Sequence, residues 1–132
     1  MFGKTFWNYG LGIHLSVVTT ISLSAYWGIL PTTYKVIPHA DLWGHLVLVG
    51  LLAFFLDGAF RFRPLFSGKL AFLRLAPALM IVIAALEELL QSFSPRRTAS
   101  ISDFLADVLG ILLGSWFAKY LVERYGETSE AK

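Results

Sequence analysis

The 132-residue sequence contains no cysteine. Disulfides, thiolate metal sites and a cysteine nucleophile are therefore excluded. Charge is also scarce: Asp, Glu, Lys and Arg make up 15% of the chain, against about 25% in soluble domains. The net charge is only +2, and the basic residues are scattered rather than striped, so nothing marks a nucleic-acid partner. There is no phosphate loop, His-Glu-x-x-His pair, nucleophilic serine elbow or dinucleotide fingerprint. Ser92, Ser94, Ser100 and Ser102 surround one loop, but not in the strand–turn–helix setting that activates a serine. The chain has no internal repeat and no low-complexity tract.

Apolar residues are abundant. They form 56% of the sequence, and the mean hydropathy is +0.64. At about 20 residues per spanning helix, the length accommodates four spans and short connections. Continuous apolar runs fall at residues 8–30, 41–60, 70–93 and 101–122. The expected fold is all-α: one integral membrane bundle of four transmembrane helices, forming a single domain over residues 1–132. The first run follows Lys4 but is too long for a cleaved signal and lacks a small-x-small site, so it reads as a retained helix. Its Ser16, Thr19, Thr20, Ser22 and Ser24 are tolerable in lipid because a hydroxyl can bond back to its own helix. Pro77 is expected to kink the third helix. Trp7, Trp27, Trp43 and Trp116 lie near span ends and read as an interfacial belt.

Loop charges set the orientation. Lys4, Arg61, Arg63, Lys69, Arg74, Lys119, Arg124 and Lys132 gather on one side, against Lys35, Arg96 and Arg97 on the other. The richer side should be cytoplasmic, which places both termini in the cytoplasm. The opposite, outward end then collects polar residues from three segments. Asp41 and His45 open the second span, Glu87, Glu88 and Gln91 close the third, and Asp103 and Asp107 open the fourth. Asp41/His45 and Asp103/Asp107 are each four apart and share a helix face. Asp107 lies about 6 Å deeper than Asp103, too late in the helix to be a cap. A lone carboxylate facing lipid costs on the order of 3 kcal/mol, so this acidic face should turn inward. Gly110 and Gly114 continue it and permit a close helix–helix approach.

Each residue also has a plain structural reading. Asp41 and Asp103 can be N-caps, His45 and His14 can each make one interhelical hydrogen bond, and Glu87 can face headgroups. Glu88 can pair with Arg97, while Arg96 can hold a lipid phosphate. Under the functional reading, Asp41, His45, Glu88, Asp103 and Asp107 are the candidate catalytic groups. They are equally the candidate ligands of a divalent cation, while Gln91, Arg96 and Arg97 are candidate contacts to a lipid headgroup.

These residues resemble the VanZ-like family of small bacterial membrane proteins. Asp41-Leu42-Trp43-Gly44-His45 is similar to the family's Asp-Lys-x-x-His at the start of its second helix. Glu88-Leu89-Leu90-Gln91 corresponds to Glu-x-x-Gln near the end of the next helix. Pro95-Arg96-Arg97-Thr98, followed by Asp103, Asp107 and Gly110, falls where the family has a Pro-Gly-Arg type loop, then Asp, Asn and Gly. The resemblance covers roughly residues 38 to 115. Leu42 replaces the usual lysine and Asp107 the usual asparagine, so both departures make the cluster more acidic.

The resemblance implies the bacterial inner (cytoplasmic) membrane, a multi-pass chain and a role at the cell envelope. The founding members are associated with low-level teicoplanin resistance. The expected function is binding or processing an envelope lipid, lipid-linked precursor or lipoglycopeptide. The alternatives are a membrane-embedded hydrolase or transferase with or without a metal, a purely structural polar network, and a small proton-coupled carrier.

Overall fold

A computed structural model describes residues 2–30, 36, 38–95 and 99–126. Within them the chain forms four α-helices and no strand: α1 (Lys4–Trp27), α2 (Ala40–Ala59), α3 (Leu75–Gln91) and α4 (Ile101–Tyr125). Only an isolated bridge, Pro64 to Arg74, interrupts this all-α pattern.

The helix ends follow from local chemistry. α1 stops three residues before the expected end because Gly28 adopts φ 71°. Its N–H reaches the Ala25 carbonyl at 3.1 Å, and Ile29 N–H reaches Ser24 at 2.8 Å, a Schellman closure. α2 closes in the same way, with Arg61 N–H on Gly58 at 3.0 Å and Phe62 N–H on Asp57 at 2.9 Å. Here the left-handed position is an arginine, with φ 55°, and Phe62 follows at φ 56°. Left-handed non-glycine residues cost on the order of 1–3 kcal/mol each.

The third helix begins at Leu75 rather than near residue 70. Residues 64–74 instead fold back through the short 3-10 turn Gly68–Leu70, with Leu65 N–H on Leu73 at 2.7 Å and Leu75 N–H on Arg63 at 2.9 Å. This moves Pro77 into the first turn of α3. A first-turn residue has no intrahelical N–H bond to lose, so the expected mid-helix kink does not arise.

α2 and α4 run parallel and form the central pair; α1 packs on α2, and α3 covers α4 and part of α2. The α2–α4 seam is built on glycine. A Cβ at Gly114 would strike the Gly50 carbonyl, and one at Gly110 would strike the Leu46 carbonyl and come within 3.2 Å of Gly50 N. At the other end of α2, the Trp7 indole lies where a Gly58 Cβ would be. Trp7 is 4% exposed and packs with Phe54 and Ala118. It is therefore a core residue rather than a member of the interfacial belt; Trp27, Trp43 and Trp116 are exposed.

Small and polar residues fill much of the interior, beside Trp7, Phe54, Met80 and Ile111, and the exterior is rich in large apolar side chains. Buried residues include Ala53, Ala76, Ala84, Ala118, Ser115, Gln91, Asp57 and Asp107, whereas Val82, Leu109, Leu112 and Phe117 face outward. Water would disfavour this arrangement, but lipid does not. α2 and α4 are long and apolar enough to cross a membrane. α3, at 17 residues, is about 26 Å long. The hydroxyls of α1 behave as expected: Ser16 donates to the Gly12 carbonyl and Thr20 to Ser16, both at 2.8 Å.

Candidate functional site

The glycine seam determines what meets beyond it. One turn before Gly110, α4 presents Asp107 to α2, where His45 stands one turn before Val49. His45 Nδ1 donates to Asp107 Oδ1 at 2.9 Å. The other ring nitrogen, Nε2, lies 4.0 Å from Asp103 Oδ2. Asp107 is 3% exposed, while Asp103 and His45 are half-buried. A hydrogen bond at one imidazole nitrogen fixes which nitrogen carries the proton and how the ring lies. His45 is thus clamped between two carboxylates of one helix face.

α3 joins the cluster through the cap of α4. Ser100 is the N-cap, and its Oγ accepts from Asp103 N–H at 3.4 Å. In a capping box, the acid three residues on would return to the cap's own N–H. Glu88 of α3 takes that place: its Oε2 accepts from Ser100 N–H at 2.8 Å. Asp103 is therefore not the cap, and its carboxylate lies toward His45. A chain of polar contacts now runs from α2 through α4 to α3.

The same end of α3 holds polar atoms with no partner among the described residues. Gln91, the last residue of α3, is 1% exposed. Both ends of its amide, together with Glu88 Oε1, are buried and find no hydrogen-bond partner among the described residues. Buried polar groups are nearly always satisfied by protein, water or ligand.

The remaining candidates lie elsewhere. Asp41 is exposed in the first turn of α2, one turn before His45, and makes no ion pair among the described residues. The N-cap there is His39, with φ 55°, so Asp41 is not the cap. Glu87 is half-buried. Arg96 and Arg97, and with them the expected Glu88–Arg97 pair, lie outside the described residues. Among the described residues, no three His, Asp or Glu side chains converge in a way that could hold a metal ion. His14 makes its expected bond across helices, donating from Nε2 to the Leu48 carbonyl at 2.8 Å.

A second polar constellation has little signal in the sequence. Asp57 is fully buried and forms an ion pair with Arg74. Arg74 Nη1 also donates to the Ser115 carbonyl at 3.1 Å, and its guanidinium lies 5.8 Å from the Phe62 ring centroid. Asp57 is legible as an acid inside an apolar run, which requires a partner. Arg74 reads as a loop cation, although it immediately precedes α3 and its side chain reaches into the bundle.

Among known proteins, the family model described as VanZ/LLP1 matches residues 3–122. No curated protein and no solved structure matches the chain.

Proposed function

The chain belongs to the VanZ/LLP1 family, and from that premise we propose that it is a four-span protein of the bacterial inner membrane with both termini in the cytoplasm. In this reading the cluster of His45, Glu88, Gln91, Asp103 and Asp107 faces outward and binds the polar head of an envelope lipid, lipid-linked precursor or lipoglycopeptide. One observation carries the reading. Beside the chain of contacts from His45 to Glu88, Glu88 Oε1 and both ends of the Gln91 amide, one turn further along α3, are buried with no partner among the described residues. A network serving only as glue would be expected to satisfy them, because unpaired buried polar groups cost about 1–3 kcal/mol each. A polar headgroup supplies the missing donors and acceptors, while its acyl or prenyl chain remains among the outward-facing Leu and Val side chains.

The test is native mass spectrometry of the purified protein, offered teicoplanin and a polyprenyl-linked cell-wall precursor in separate experiments. At least one should be retained by the wild type and lost by Gln91→Leu and by Asp107→Asn. Equal retention by both variants, with the fold intact, would overturn the site. A second reading rests on the two-carboxylate clamp around His45, which suits an acid–base pair in a hydrolase or transferase. It predicts that the precursor is turned over by the wild type and not by His45→Gln. Retention without turnover leaves the binding reading alone.

A further inference from the structure

At the opposite end of the molecule, a pocket of about 170 Å³ opens between the start of α1, the end of α2 and the end of α4. Phe2, Trp7 and Phe62 supply its aromatic lining, Gly58 brings α2 close, and Lys4 and Arg61 are its charged residues. No carboxylate lines it. Neither cation forms an ion pair among the described residues. Of the acids next to lining residues along the chain, Asp57 is engaged by Arg74 and Glu123 by Lys119. Two cations therefore line an aromatic pocket that has no acid in its lining.

We propose that this pocket, formed by Lys4, Arg61, Trp7 and Phe62, is a second binding site that takes the phosphate of an anionic phospholipid. Charge sets the chemistry: two cations and no acid select an anion, and a phosphate presents several acceptor oxygens to a guanidinium. Position sets the source. The pocket lies where the apolar run of α2 gives way to the turn at Arg61, the level at which basic residues meet headgroups. The aromatic lining then meets the glycerol backbone and the first carbons of the acyl chains. The backbone of Arg61 adds an independent argument. Its φ of 55° sits at the closing position of a helix cap, where glycine has no steric penalty. Arginine at this position favours the side chain over the backbone, and the pocket is what that side chain serves.

The same position provides the test. Arg61→Gly relieves the left-handed strain while removing the cation, so the variant should be at least as resistant to thermal unfolding as the wild type. Purified protein in detergent is offered phosphatidylglycerol or phosphatidylcholine, and retention is read by native mass spectrometry. The wild type should retain phosphatidylglycerol in preference. Arg61→Gly and Lys4→Gln should each reduce that preference by about fivefold. Lys69→Gln, an exposed cation of the 64–74 turn that does not line the pocket, should leave it unchanged. Equal retention of the two lipids by the wild type, or undiminished preference in folded Arg61→Gly, would overturn the proposal. Displacement of the lipid by millimolar inorganic phosphate would overturn the lipid assignment and leave a free-anion site.

Discussion

Two residues show how differently one sequence exposes its own chemistry. His45 and Asp107 are 62 positions apart, yet their meeting is legible. Each stands one turn from a partner acid on its own helix, and Gly110 and Gly114 announce a seam on the same face as Asp107. The Asp57–Arg74 pair offers only half a signal, because an arginine beside Pro64, Ser67 and Gly68 reads as one of several turn cations. Asp41 shares a face with His45 and stands one turn earlier in α2, at the level of Asp103, yet it is exposed and makes no ion pair among the described residues. The buried pair makes a quantitative prediction. Arg74→Ala strands a fully buried carboxylate and should cost about 3–5 kcal/mol, measured by denaturant titration in micelles. Replacing both partners together, as Asp57→Leu with Arg74→Met, should recover most of that loss, because no uncompensated charge remains. If the double variant is as unstable as Arg74→Ala, the pair does more than neutralise itself.

At the scale of the elements, the central fact is that α2 and α4 touch backbone to backbone. Each helix is legible from its apolar run and the seam from its small residues, but two features are not. Hydropathy continues through residues 70–73, so it cannot reveal that Pro64 to Arg74 closes on itself by backbone bonds. Nor does it distinguish Trp7 at an interface from Trp7 stacked on Gly58, since both lie at the end of an apolar run. The seam ties stability to the cluster. A side chain at Gly114 has no room against the Gly50 carbonyl, so Gly114→Val must push the helices apart. Overpacking of this kind costs about 1–3 kcal/mol. The larger effect should be geometric: opening the seam moves Asp107 away from His45. In the folded variant, the His45 imidazole nitrogen chemical shifts should lose the signature of a fixed, hydrogen-bonded ring. Unchanged shifts would mean that His45 is positioned by its own helix and not by the seam.

For the molecule as a whole, the decisive property is its inverted distribution of side chains. Ala, Ser, Gln and Asp make up much of the interior, beside a few large apolar residues such as Ile111 and Phe54, while many Leu, Val and Phe side chains are exposed, an arrangement that makes lipid the compatible solvent. It leaves two polar ends: one holding His45, Glu88, Asp103 and Asp107, the other holding Arg61, the 64–74 turn and the start of α1. If all four helices cross the bilayer, these ends lie in different compartments, and the proposed orientation puts the second, rich in Lys and Arg, in the cytoplasm. The cysteine-free sequence makes this testable without first removing native thiols. Single variants Ser92→Cys and Ser102→Cys report on the first end, and Ser67→Cys and Thr5→Cys on the second; all four positions are exposed. A membrane-impermeant maleimide should label the variants at 92 and 102 in cells with a permeable outer layer and an intact inner membrane. The variants at 67 and 5 should react only after detergent treatment. Labelling at 67 with protection at 102 would invert the protein and turn the His45 cluster toward the cytoplasm, where an outer-leaflet headgroup cannot reach it. Labelling at 5 together with 92 would mean that α1, α2 or α3 does not cross, and the four-span arrangement would fall.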